Sequence, residues 1–211
     1  ALAQAVKEKP GYADLRCRYG PVLAEMGRQE EALAAFDAAL AINANYIEAL
    51  LARGIALLLL DRPAEALVSL RRAGERKPAF VDVAYYEGVA ALRAGRAREA
   101  LEPLARALSA NPQFGRARFT LGQARLALGD REMGLADLRA GLEADRRLVP
   151  QHAYVGAAHL DFGEHATAAD YLAKAVQDHP DYPDLRMQLG LAHLGGGHAD
   201  DALREFREAI R

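Results

Sequence analysis

Residues 81–114 read VDVAYYEGVAALRAGRAREALEPLARALSANPQF, and the layout of this stretch recurs along the chain. Gly88 falls in its first half and Gly95 near its middle. Ala100 and Ala107 bracket Leu104, and Pro112 and Phe114 close it. Outward from Gly88, glycine returns at Gly20, Gly54, Gly122, Gly156 and Gly190, always 34 residues apart. Twelve residues after each stands a small residue (Ala32, Ala66, Ala100, Gly134, Ala168, Ala202), and seven further on another (Ala39, Ala73, Ala107, Gly141, Ala175, Ala209). Between the two lies a large apolar side chain: Phe36, Leu70, Leu104, Leu138, Leu172 or Phe206. A fixed period of this length marks one supersecondary unit stacked repeatedly.

Each unit reads as helix, short turn, helix. Apolar residues keep the spacing of one helix face, as in Ala32, Leu33, Phe36, Ala39 and Leu40. Gly27, Gly95, Gly129, Gly163 and Gly197 mark the turn, with Asp61 in place of glycine once. Glycine accepts the positive φ that a helix C-terminus often needs. Pro10, Pro78, Pro112 and Pro180 stop the second helix, while Ala44 and Arg146 replace the closing proline in two units. A bulky apolar residue follows two places later: Tyr12, Tyr46, Phe80, Phe114, Leu148, Tyr182. The glycine inside the first helix costs about 1 kcal/mol against alanine. Its recurrence predicts a close approach of the two helices, with the Ala32-type and Ala39-type residues opposite. A large side chain at Gly88 or Gly122 is expected to overpack that approach by about 1–3 kcal/mol or more. Pro21 predicts a kink in its helix, Pro103 a mild bend, and Gly195-Gly196-Gly197 a frayed helix end.

This pattern resembles the tetratricopeptide repeat family over essentially the whole chain. The resemblance implies an all-α fold: an α-solenoid of helix-turn-helix repeats wound into a right-handed superhelix, as a single array over 1–211. The repeats are 13–46, 47–80, 81–114, 115–148, 149–182 and 183–211, and 1–12 match the second helix of a partial repeat. The family's large aromatic four places before the helix glycine is missing here, where Arg16, Leu50, Ala84, Arg118, His152 and Arg186 stand. Solenoids normally carry polar caps. The absence of one in this sequence predicts either a fragment or an array that stacks end to end with other copies as a homo-oligomer.

The resemblance also implies where a partner sits, because groove-facing residues in this family lie two, five, nine, twelve and thirteen positions into each unit. In the second unit these are Glu48, Leu51, Ile55, Leu58 and Leu59; in the third, Asp82, Tyr85, Val89, Leu92 and Arg93. In the fourth they are Arg116, Phe119, Gln123, Leu126 and Ala127. Ala153, Ala157, Leu160 and Asp161 follow in the fifth, and Met187, Leu191 and Leu194 in the sixth. The expectation is a continuous apolar stripe of Leu51, Ile55, Leu58, Tyr85, Val89, Leu92, Phe119 and Leu126, with Gln123 among them. Such a stripe suits an amphipathic helix or an extended peptide with apolar anchors. The competing reading packs these side chains on one another. Chaperone-tail binding by the Lys/Asn/Arg clamp of some members is not expected, since Cys17, Pro21, Leu51 and Ile55 fill the matching positions.

Composition narrows the function further. A formal net charge of −2 argues against a nucleic-acid partner. Charge is uneven, with net +6 over 62–131 and −6 over 132–211, which allows a partner of complementary charge. The single cysteine, Cys17, excludes an intramolecular disulfide and any multi-cysteine zinc site. The longest apolar run, Ile55 to Leu60, is too short for membrane insertion. His159 and His193 occupy equivalent positions, with His152 and His165 nearby, but no His-x-x-x-His pair shares a helix face, so no metal is expected. With no phosphate-binding loop, nucleophile elbow or convergent acid–base pair, neither cofactor nor catalysis is expected. The leading expectation is a non-catalytic scaffold that binds a protein or peptide. Self-assembly and service as the recognition arm of a larger enzyme, such as a glycosyltransferase, are the alternatives. Ala, Arg, Leu and Gly richness points to a GC-rich bacterial source, and no signal separates cytoplasm from periplasm.

Overall fold

The computed structural model describes residues 2–9, 11–145, 148 and 151–210. Every regular element among them is helical. The helices are α1 (Leu2–Glu8), α2 (Ala13–Glu25), α3 (Gln29–Ile42), α4 (Ile47–Leu59), α5 (Pro63–Arg76), α6 (Val81–Arg93), α7 (Ala97–Ala110), α8 (Gly115–Ala127), α9 (Arg131–Ala144), α10 (His152–Asp161), α11 (His165–Asp178), α12 (Pro183–Gly195) and α13 (Ala199–Ile210). The even-numbered helices are the first helices of the repeats. The closing positions Pro10 and Arg146 lie outside the described residues.

The turn between paired helices has one solution throughout. In α6–α7 the Gly95 N–H donates to the Leu92 carbonyl at 3.0 Å and the Arg96 N–H to the Ala91 carbonyl at 2.9 Å. Both bonds satisfy carbonyls that the helix end would leave bare, and they require a left-handed residue between them. Gly95 has φ 73°, and Asp61 takes φ 55° at the equivalent place, closed by the same bonds. Aspartate tolerates this conformation better than most side chains. At the far end of α3 and α7, Asn43 and Asn111 stop the helix. Each side-chain oxygen accepts from the backbone N–H two residues on.

The chain forms two compact units, Ala1–Gln113 and Phe114–Arg211. The division falls one residue from the junction expected between the third and fourth repeats. In the first unit each helix packs on the next, and α2 also touches α4, as α4 touches α6. The first helices therefore form one layer with the second helices behind them. In the second unit the pairs are α8–α9, α10–α11 and α12–α13, and α10 touches α12.

The core of each hairpin sits where the recurrent glycine meets the large apolar residue of the second helix. A Cβ built on Gly54 would lie 2.5 Å from the Leu70 Cγ, and one on Gly156 would lie 2.6 Å from the Leu172 Cγ. Gly20, Gly88 and Gly190 meet Phe36, Leu104 and Phe206 in the same way. The close approach is thus present, but its nearest partner is the large side chain rather than the flanking alanines. A 3.6-residue period places three residues on one face without saying which of them points at the helix crossing. Ala32, Ala39, Ala66 and Ala73 are fully buried beside the crossing. In α8–α9 glycines replace these alanines, and the backbones come closer still. The Gly134 carbonyl oxygen and the Leu138 nitrogen stand 2.7 and 2.8 Å from a Cβ on Gly122. Helix α2 continues through Pro21, and α12 ends at Gly195, ahead of the glycine pair.

Candidate functional site

In the first unit, α2, α4 and α6 present their exposed face to solvent while their opposite face packs on α3, α5 and α7. Leu51 and Ile55 of α4 are half-buried there, and Leu59, one turn further, is 65% exposed. Tyr85, Val89 and Leu92 of α6 are half-buried as well. Leu58 behaves differently: at 5% exposure it belongs to the core. At one end of this face Arg93 reaches back to α4, donating to the Leu58 carbonyl at 2.9 Å and to the Asp61 carboxylate at 2.8 Å. Arg93 thereby ties two first helices together, a role that position within the repeat alone does not reveal. Cys17 is buried, and that burial pushes its thiol up, away from the reactive thiolate.

The second unit is arranged differently. Phe119, expected in the stripe, is 4% exposed and packs with Leu135, Leu138 and Val155. Leu126 joins the same cluster as a partly buried member and fills the space over Gly134. Phe119 leaves the open surface where its backbone packs against Gly141 of α9, while Leu126 stays half-buried. Gln123 is half-buried and hydrogen-bonded to Tyr154 of α10, whose ring centroid lies 5.9 Å from that of Phe119. Tyr154 stands outside the positions carried over from the family, so repeat position does not point to it. In this unit α12 exposes Met187, Leu191 and Leu194 at i, i+4 and i+7.

Several buried carboxylates inside the hairpins are paired with arginines, while the buried His159 Nε2 and Arg106 Nε have no hydrogen-bond partner among the described residues. Glu87 is buried with Arg106 at 2.6 Å and Arg71 at 3.9 Å, and burial outweighs both arginines to push its carboxyl up. Asp137 is held by Arg125 at 2.5 Å and Arg118 at 3.6 Å, and its carboxyl is raised by the same cause. Arg186–Glu205, at 3.1 Å, repeats the Arg118–Asp137 geometry two repeats later. His159 is buried, stacks on Tyr171, and bonds Glu164 at 2.5 Å; Glu164 also pairs with Arg131. These groups join helices to one another. Among the described residues no three potential ligands stand close enough to hold a metal ion. No described helix is long and apolar enough to cross a membrane.

Three family models, each described as a tetratricopeptide repeat, match the sequence. One matches residues 13–46, one 51–113, 85–153 and 119–183, and one 159–211. Among solved structures, the chain is similar to YrrB, described as a TPR protein with an unusual peptide-binding site. That likeness has a TM-score of 0.69 and 22% identity, and covers 93% of this chain and 98% of the other. MamA from Desulfovibrio magneticus RS-1 aligns with a TM-score of 0.70 and 24% identity over 78% of this chain and 93% of that one. TTC0263, a TPR protein of Thermus thermophilus, aligns with a TM-score of 0.66 and 25% identity over 86% of this chain and 99% of that one. No curated protein matches the sequence at a significant level.

Proposed function

We propose a protein-binding role for this chain, which belongs to the tetratricopeptide repeat family: a non-catalytic scaffold that holds a partner peptide or helix against its first helices. The observation that carries the reading is the grouping of apolar side chains on adjacent first helices of the first unit. Leu59 is open to water on α4, which also carries half-buried Leu51 and Ile55, and the touching helix α6 carries half-buried Val89 and Leu92. Single exposed apolar residues are ordinary, but a contiguous group on one face marks an interaction site. The exposed Met187, Leu191 and Leu194 give the second unit a smaller surface of the same kind. The peptide-binding site ascribed to YrrB agrees with this reading, although the likeness itself speaks to fold.

A displayed library of random peptides panned against the chain tests the reading. Enriched peptides are expected to carry apolar anchors and to lose on the order of tenfold in affinity against Leu59→Gln, since burying a leucine stabilises by about 1.5–3 kcal/mol. Circular dichroism should stay unchanged, because Leu59 contributes little to the core. Enriched peptides indifferent to Leu59→Gln would place the site elsewhere.

Self-assembly is the second reading. Its support is α13, where Ala202 is buried while Leu203 and Ile210 face solvent. Light scattering that shows a monomer at every concentration removes it.

A further inference from the structure

The charges bordering the first-helix face of the first unit name the chemistry of its partner. This inference rests on the reading that the face takes a peptide. Asp14, Glu48 and Asp82 stand at the second position of α2, α4 and α6, 34 residues apart, and all three are exposed. Three residues on, one turn along the same helix face, come Cys17, Leu51 and Tyr85. Since α2 touches α4 and α4 touches α6, the three carboxylates form a row along one edge of the apolar surface.

A carboxylate in the first turn of a helix is favoured by the helix dipole, and that alone could account for each acid. The second helices of the same unit show what happens when a first-turn acid is also given a cation. Glu31 pairs with Arg28, Glu65 with Arg62, Glu99 with Arg71, and Glu30 lies 3.9 Å from Arg62. On the first helices Asp14 pairs with Arg18, whereas Glu48 and Asp82 have no ion pair among the described residues. The outer acids are neutralised from within the chain, while two of the three at the apolar edge are not.

We propose that the partner is an amphipathic helix with an apolar face bordered by Lys or Arg, its cations read by Glu48 and Asp82. The spacing fits. Neighbouring packed helices lie about 8–10 Å apart, so successive carboxylates stand about that far from one another. A helical ligand rises about 10.5 Å in seven residues, which places basic residues seven apart opposite successive acids. Such complementarity fixes register and orientation beyond what apolar burial alone provides.

The test uses two fluorescein-labelled peptides of about 18 residues. Both carry leucine at i, i+3, i+4 and i+7; one carries lysine elsewhere and the other glutamate. Fluorescence anisotropy is read against the wild-type chain, the Glu48→Gln/Asp82→Asn double variant and Leu59→Gln. The lysine peptide is expected to bind on the order of tenfold more tightly than the glutamate peptide. That preference should shrink severalfold in the double variant and at high salt, and Leu59→Gln should weaken both peptides. If the two peptides bind equally, or the glutamate peptide binds better, while Leu59→Gln still weakens them, the charge assignment is overturned and the binding face stands. If the lysine peptide binds but ignores both the double variant and Leu59→Gln, the assignment and the face fall together. If neither peptide binds, the amphipathic helix is overturned as the partner.

Discussion

At Gly88 the missing side chain lets Leu104 pack against the backbone of α6, and this single relation recurs in every described hairpin. The sequence made the glycine legible as a close approach because a helix former was sacrificed at a fixed interval. Which atom lay opposite was not legible, since small and large residues of α7 share one face. Gly88→Val should lower the urea unfolding free energy by about 3 kcal/mol or more. Gly11, whose Cβ would meet nothing within 4 Å, provides the control. Gly11→Val should change stability by less than about 0.5 kcal/mol. Equal losses at the two sites would contradict the packing role.

At the scale of the helical hairpin, turns and ion pairs divide the work. The turns were fully readable: glycine, or Asp61 once, stands where φ is positive, and the same two backbone bonds close each one. The ion pairs were not, because Glu87 and Asp137 sit at different repeat positions and find their arginines across helices. Glu87 provides a pH test. Burial raises its carboxyl above the ordinary value of 4.5, so the folded chain holds that proton more tightly than the unfolded chain does. Its contribution to stability is therefore full below about pH 4.5 and is lost as pH rises through the raised folded value. Glu87→Gln stays neutral throughout. Between about pH 4 and about pH 7 the wild type should lose stability relative to Glu87→Gln, measured by denaturant unfolding at each pH. A difference that does not vary with pH would show that the carboxyl is not raised.

Over the whole molecule, the helical class and the pairing of helices were legible in the 34-residue period, and the family resemblance implied the solenoid. The proposed binding surface was only partly legible. Positions carried over from the repeat locate Leu51, Ile55, Leu59 and Val89 on the first-helix face. They assign Leu58 and Phe119 to the same face although both are buried. Burial at such positions depends on how closely the neighbouring helix approaches, and the glycine-for-alanine exchanges at Gly134 and Gly141 change that approach in α8–α9. The two compact units therefore differ in surface while sharing one repeat. The most direct test is methyl NMR of the chain titrated with a library-selected peptide. Shift changes are expected at the methyls of Leu51, Ile55, Leu59 and Val89, with none at Val68, which is 68% exposed on α5. Changes confined to Val68 and its surroundings, with the first-helix methyls unmoved, would contradict the proposed surface.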